Sequence, residues 1–373
     1  MKVDLLIVGA GFTGSVLAER IATQLKQKVL LVEQRNHIAG NAYDYYDEHG
    51  ILVHKYGPHI FHTNAKHVWD YLGKFTEWRS YYHRVLGVVD GKQVPLPFNF
   101  NSIYALFPPS YADELIKQLV EQYGLNLKVP ILKIRETAKG EQLKSLADYI
   151  YNNVFHNYTY KQWNLKPEEL SPSVTARVPI YTSRDDRYFQ DIYQGMPKHG
   201  YTNLFQNLLN HPNIKVLLNT SYREIADEIQ CKKLIFTGRI DDFFGYIHDD
   251  LPYRSLDFKF IHTKQERLQS VATVNYPNEY DYTRITEFKH LTGQSAYGST
   301  FIEEYPQAYK SGENIPYYPI PKNEYKDLYR QYRLEADKMK DNVLFAGRLA
   351  DYQYYNMDQA VARALSLFKE ISR

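Results

Sequence analysis

Apolar positions gather first at Val3–Val8, a short β-rich run, and then recur at Val16, Leu17, Ile21 and Leu25. The second spacing predicts a helix over Phe12–Gln24, and the apolar run Val29–Val32 predicts a second buried strand, so the chain opens on a β–α–β unit. Ile51–Thr63 is mixed and holds the Gly57-Pro58 turn, whereas Leu86–Val89 and Gln93–Leu96 flank Asp90-Gly91, a hairpin signal. From Ile103 to Phe155 the pattern turns helical, with apolar repeats at three and four over Tyr111–Tyr123 and Leu143–Val154. Lys166–Asp186 is polar, broken by Pro167, Pro172 and Pro179, and reads as an irregular loop. Short β-rich pieces follow at Lys215–Leu218, Leu234–Thr237, Leu256–Ile261, Ala272–Asn275 and Thr283–Phe288; a strand at Asn342–Ala346 and a helix at Asp358–Ile371 close the chain.

At 373 residues the chain exceeds the size at which one core keeps growing, so two or three domains are expected. The net charge of +2 gives no broad electrostatic footprint for nucleic acid. The single cysteine, Cys231, excludes an internal disulfide framework and a cysteine-based zinc site. No stretch has the apolar length of a membrane span or of a signal sequence, and the expectation is a cytoplasmic protein. Tyrosine, at 35 residues, stands out. Codon bias accounts for the total, so individual tyrosines are judged by their neighbours.

Candidate chemistry begins at Gly9-Ala10-Gly11-Phe12-Thr13-Gly14, a G-x-G-x-x-G directly after a strand and opening a helix. The first glycine makes the turn, the second admits a pyrophosphate to the backbone, and the third lets helix and strand pack closely. The phosphates rest at a helix N-terminus, where amides and the macrodipole favour anions. Glu33 ends the second strand, where a carboxylate grips an adenosine ribose, followed by Gln34 and Arg35. NAD and FAD share this fingerprint. FAD is favoured by Ile38-Ala39-Gly40-Asn41 and by Val343–Arg348 leading to Met357-Asp358, which resemble the second Gly-rich contact and the closing segment of glutathione-reductase-like flavoproteins. Gly347, Arg348, Tyr354, Met357 and Asp358 are the cofactor candidates there.

The middle of the chain is similar to the UDP-galactopyranose mutases. The resemblance lies in Gly57-Pro58-His59-Ile60-Phe61-His62-Thr63, Tyr158–Trp163, Arg184–Phe189, Tyr193–Pro197, Thr283–His290, Pro316–Ile320 and Gly347-Arg348-Leu349, in one order along the chain. It implies an α/β fold with α+β insertions: a Rossmann-like FAD domain (residues 1–80, 190–240 and 338–373), a helical domain (98–165) with a mobile loop (166–186), and an antiparallel-sheet domain (81–97 and 241–337). It implies that Arg177 and Arg284 clamp a UDP-sugar diphosphate, and charge-assisted arginine bonds suit that task. Phe155, Tyr158, Thr159 and Trp163 then form the uridine pocket, where stacking on an aromatic holds a base. Tyr188, Asn275, Tyr318 and Tyr354 line the sugar and phosphates, and His59 and Ile60 face the flavin. A metal reading of His59 and His62 is disfavoured, since their segment contains no carboxylate.

The implied chemistry has no net oxidation. Reduced FAD attacks the anomeric carbon of galactose through N5 and displaces UDP, the sugar ring opens and recloses through another hydroxyl, and UDP returns. A cellular reductant such as NAD(P)H, a homodimer, and use of the galactofuranose in cell-surface glycans are implied as well. Two positions depart from the pattern. Ala39 replaces a usual glycine, which is tolerated if its φ is negative. Asn356 replaces a frequent aspartate, removing a charge near the active site. His59, where a UDP-N-acetylgalactosamine branch has arginine, favours plain UDP-galactose. The rivals are that branch, a flavin amine-oxidase-like oxidoreductase with an apolar channel, and a non-catalytic sensor.

Overall fold

β1 (Lys2–Val8), α1 (Phe12–Gln24) and β2 (Val29–Val32) form as the apolar pattern requires, in a computed structural model that describes residues 2–171 and 179–372. β1 lies inside a five-stranded sheet ordered Ile214–Leu217, β2, β1, Gln230–Phe236, Val343–Phe345, every pair parallel. Strands covered on both faces read as continuous apolar runs, as Val29–Val32 does, with all four residues buried. α1 packs on Met357–Ile371 and on the helix Gly200–Leu209. This sheet belongs to a unit made of residues 1–81, 191–253 and 316–373.

The helix Gly200–Leu209 carries no cap in its own sequence. Asp44 supplies one: its carboxylate accepts from the amides of Tyr201 (2.6 Å) and Thr202 (2.7 Å), satisfying donors that a helix leaves orphaned. The close approach explains Gly200, whose φ is +83° and whose Cβ would lie 2.6 Å from the Asp44 carboxylate.

Residues 82–190 and 254–315 form the second unit. The helical segment expected at 98–165 and the hairpin strands share it. Strands Tyr253–Thr263, Ser299–Ala308, Arg284–Glu287, Thr273–Asn275, Val85–Val89 and Lys92–Leu96 neighbour one another in that order, with one parallel pair among them, Thr273–Asn275 on Val85–Val89. Asp90 (φ +49°) and Gly91 (φ +73°) make the hairpin turn with the two positive φ values a type I′ turn needs. Helices Phe100–Leu106, Pro109–Tyr123, Ile131–Thr137 and Glu141–Ile150 bury Leu115, Leu119, Ile134 and Leu146 in one core with Val89 and Leu96 of the hairpin.

The structure departs from the sequence reading in several places. Within the stretch expected to be an irregular loop, Ile180–Tyr181 is a strand paired with Lys128–Val129, and Pro167–Glu169 is a 3-10 turn. The helix expected to run through Val154 ends at Ile150 and widens into a π-helix, Tyr151–His156, before Asn157–Trp163 resumes α geometry. Tyr151 is held at this widening by its hydroxyl bond to Glu168 (2.6 Å) and by the Arg135 guanidinium 3.8 Å above its ring. The helix Asn323–Lys338 went unread because it buries only Tyr332 and Ala336, too few for a periodic signal. Ala39 has φ +74°, not the negative value on which its tolerance was argued. An L-residue there costs about 1–2 kcal/mol, which the buried turn bears.

Candidate functional site

The turn after β1 is built on close backbone approach. Gly9 has φ +102°, and a Cβ there would sit 2.2 Å from Thr237 Oγ1; one on Gly14 would sit 2.0 Å from the Gly9 carbonyl oxygen. A Cβ on Gly40 would lie 2.9 Å from Gly11 Cα, so the turns after β1 and β2 meet backbone to backbone. Gly347 arrives from the other end of the chain, its Cβ position 3.2 Å from Thr13 Oγ1 and 3.5 Å from Thr237 Cβ. Three distant segments thus converge on the glycine turn, with only the small side chains of Thr13 and Thr237 against it, leaving amide donors at the start of α1. Thr237 escaped the sequence reading because its place depends on the parallel pairing of Gln230–Phe236 with β1; its hydroxyl donates to Val8 O at 2.7 Å.

Glu33, buried at the end of β2, accepts from the amides of Ala10 (3.0 Å) and Arg35 (3.0 Å), which ties β2 to the glycine turn. Arg35 lies over the Tyr56 ring, its Nη2 donates to Asn41 Oδ1 at 3.0 Å, and its Nη1 is buried without a hydrogen-bond partner. Gln34 is exposed. The Phe12 side chain turns inward onto Phe205 (4.7 Å between rings), so only its backbone faces the turn. Asp358, in the first turn of Met357–Ile371, accepts from Thr63 Oγ1 at 2.8 Å, and its Oδ1 is buried without a partner. Asn356 is the N-cap of that helix, in a reciprocal capping box with Gln359. Near it, the Tyr318 and Tyr354 rings meet edge to face at 5.0 Å, and Arg348 lies 5.8 Å from the Tyr318 ring.

The Gly57–Thr63 segment is fixed by histidines. His59 bonds through Nδ1 to Gly57 O (2.8 Å), and its amide donates to Nδ1 of His54 (3.0 Å). His54 is buried, which pushes its pKa from 6.5 down to about 3 and keeps it an acceptor. Ile60 is half-buried beside them. The carboxylate that the local sequence lacked comes from 129 residues away: His62 Nδ1 lies 2.9 Å from Asp191 Oδ2.

In the second unit one polar row crosses three strands: Asn275 pairs with Arg284, and Arg284 with Glu304. Arg284 donates Nε (3.0 Å) and Nη2 (2.8 Å) to one oxygen of Glu304, which is buried; the other Glu304 oxygen has no partner, nor has the buried Oδ1 of Asn275. Glu304 was not legible, since only strand register brings it to Arg284. Of the aromatic candidates, Phe155 and Trp163 are buried and Phe155 belongs to the helical core, while Tyr158 and Thr159 are half-buried. Tyr188 packs edge-on against Phe189 and His83. Arg177 lies outside the described residues.

The family model of UDP-galactopyranose mutase matches residues 153–354, more than half of the chain. The chain belongs to the UDP-galactopyranose mutase family. An NAD(P)-binding Rossmann-like domain model matches residues 7–75. The chain is similar to a probable UDP-galactopyranose mutase of Klebsiella pneumoniae, 36% identical over 98% of this chain and 94% of that one. It is nearly as similar to a dTDP-fucopyranose mutase of Escherichia coli, 34% identical over 96% of each. Its fold matches a crystal structure of reduced UDP-galactopyranose mutase with TM-score 0.72 at 18% identity, covering 99% of this chain and 95% of that chain. FAD is the cofactor of this flavoenzyme family, and the residues present fit it: a glycine cradle that any Cβ would fill, a carboxylate at the end of β2, and buried Arg35 Nη1 and Asp358 Oδ1 atoms still lacking partners. Among the described residues, no helix is long and apolar enough to cross a membrane.

Proposed function

We propose that the chain interconverts UDP-galactopyranose and UDP-galactofuranose, with FAD held by the turn Gly9–Gly14, by Glu33, Arg35, Gly40 and Asn41, and by Gly347 through Asp358. The observation that carries this is the half-exposed Arg284 guanidinium, oriented by Glu304 on the row Asn275, Arg284, Glu304, inside a chain that matches the family over nearly its whole length. Reduced FAD, when bound, supplies a flavin nitrogen nucleophilic towards an anomeric carbon. The chain's residues bind and orient. Arg284 offers charge-assisted bonds to the diphosphate, with Arg177 as its expected second clamp, and each such bond contributes roughly 1.5–3 kcal/mol. Tyr158, Thr159 and Trp163 recognise the nucleoside, and Tyr188, Tyr318 and Tyr354 the sugar and phosphates. His59 and Ile60 present the turn that meets the flavin, and Glu304 keeps the Arg284 fork in one orientation.

The near-equal identity to a dTDP-fucopyranose mutase makes a dTDP-linked sugar the second substrate to try. A cytoplasmic homodimer reduced by NAD(P)H, making galactofuranose for surface glycans, completes the reading. The test is incubation of the purified yellow protein with UDP-galactofuranose, with and without dithionite, and separation of the two UDP-hexoses. Conversion only after reduction is expected. Bound FAD without interconversion overturns the assignment, and conversion of the dTDP-sugar alone moves it to the second substrate.

A further inference from the structure

The helix Asn157–Trp163, which carries Tyr158, Thr159 and Trp163, ends on a cation from another strand. Arg254, in Tyr253–Thr263 and only 6% exposed, donates Nε to the Gln162 carbonyl at 2.9 Å and Nη2 to the Lys161 carbonyl at 3.3 Å. These are two of the last carbonyls, which a helix leaves unpaired and where its dipole leaves partial negative charge. A planar guanidinium reaches adjacent oxygens as a fork, which a lysine ammonium on a flexible stem does not. Asn164 stops the helix in the left-handed region (φ +54°), its amide returning to Tyr160 O at 2.7 Å. Two further ties hold the segment to the loop after Thr273–Asn275: Lys161 Nζ to Tyr276 O (2.9 Å) and Asn157 Nδ2 to Asn278 Oδ1 (2.9 Å).

The helix is seven residues long and follows a π-helical turn, a geometry with poorer internal bonding than a regular helix. A segment this short gains little rigidity from its own hydrogen bonds. Its rotation and depth are therefore set by external anchors, of which the Arg254 fork is buried and charged. Burial lowers the Arg254 pKa, yet an arginine stays protonated, so the anchor holds at all working pH.

We propose that Arg254 is the positioning residue of the nucleotide subsite: by gripping the end of Asn157–Trp163 it fixes the face that Tyr158, Thr159 and Trp163 present to a nucleoside diphosphate. This rests on the assignment of that helix to nucleotide recognition under the proposed function. Arg254 acts through the end of the helix, so its loss weakens nucleotide binding without changing the reaction on bound substrate.

The test compares the holoenzyme with Arg254→Met and Arg254→Lys, using UDP as the probe in calorimetric titration, together with steady-state kinetics, FAD content and melting temperature. Arg254→Met is expected to raise the UDP Kd and the KM about tenfold, the scale of one charge-assisted hydrogen bond. The kcat and FAD content hold, and Arg254→Lys recovers part of the loss. Faster amide exchange confined to residues 157–164 accompanies it. Unchanged UDP affinity in Arg254→Met overturns the role of Arg254, as does a loss of affinity that tracks FAD content and melting temperature. Failure of the wild type itself to bind UDP overturns instead the nucleotide reading of the helix, and the subsite with it.

Discussion

His54 makes the protein acid-sensitive in a calculable way. Its ring is buried at the end of Leu52–His54 and accepts the His59 amide, a bond available only to unprotonated Nδ1. The unfolded chain takes up this proton below about pH 6.5, whereas the folded protein refuses it until about pH 3. The folded-state pKa is depressed, so the stabilisation is complete above pH 6.5 and drains away as pH falls towards 3. At about 1.4 kcal/mol per pH unit, moving from pH 7.5 to pH 5 removes about 2 kcal/mol. His54→Asn keeps an acceptor oxygen near the Nδ1 position and does not titrate. Urea unfolding of the FAD-saturated wild type and variant at both pH values isolates the effect, because all other groups cancel in the comparison. The wild type should lose about 2 kcal/mol more than the variant. Equal losses would refute the reasoning, since the proton at His54 would then not be coupled to folding.

Gly14→Ala places a Cβ 2.0 Å from the Gly9 carbonyl oxygen, a backbone atom that cannot swing away. Flavin absorbance per chain should fall sharply and stability by about 1–3 kcal/mol or more; a fully yellow Gly14→Ala protein would contradict the cradle. Arg284→Met strands the buried Glu304 carboxylate, costing about 3–5 kcal/mol in denaturant unfolding. Adding Glu304→Gln should recover much of that stability but none of the interconversion, separating the structural role of the pair from Arg284's role towards substrate.

What the sequence made legible was local. The β1–α1–β2 unit, the Asp90-Gly91 hairpin and the closing helix announce themselves through apolar spacing and turn residues, and they lie where read. What it hid depends on distance. The cap of Gly200–Leu209 comes from Asp44, the partner of Arg284 from Glu304 on the neighbouring strand, and the wall of the glycine turn from Thr237. Composition misled once, at Ala39, where a small side chain was expected to need negative φ and instead occupies the left-handed region inside a buried turn. His62 is similar: reading only its neighbours missed the carboxylate that Asp191 brings.

The sheet order also sets a timetable for synthesis. β1 and its glycine turn are made first, yet Thr237 and Gly347, which border that turn, come from the middle and the end of the chain. At roughly 5–20 residues per second, the interval between Gly14 and Gly347 leaving the ribosome is on the order of tens of seconds. From the emergence of Gln230–Phe236 until that of Val343–Phe345, an apolar parallel sheet stands with an unpaired edge, the situation that exposes nascent chains to aggregation. On the proposed flavin contacts, a chain cut short before Val343–Phe345 is expected to lose the cofactor although every residue of the N-terminal motif is present, which would make flavin capture a closing event of biogenesis and not a template for it.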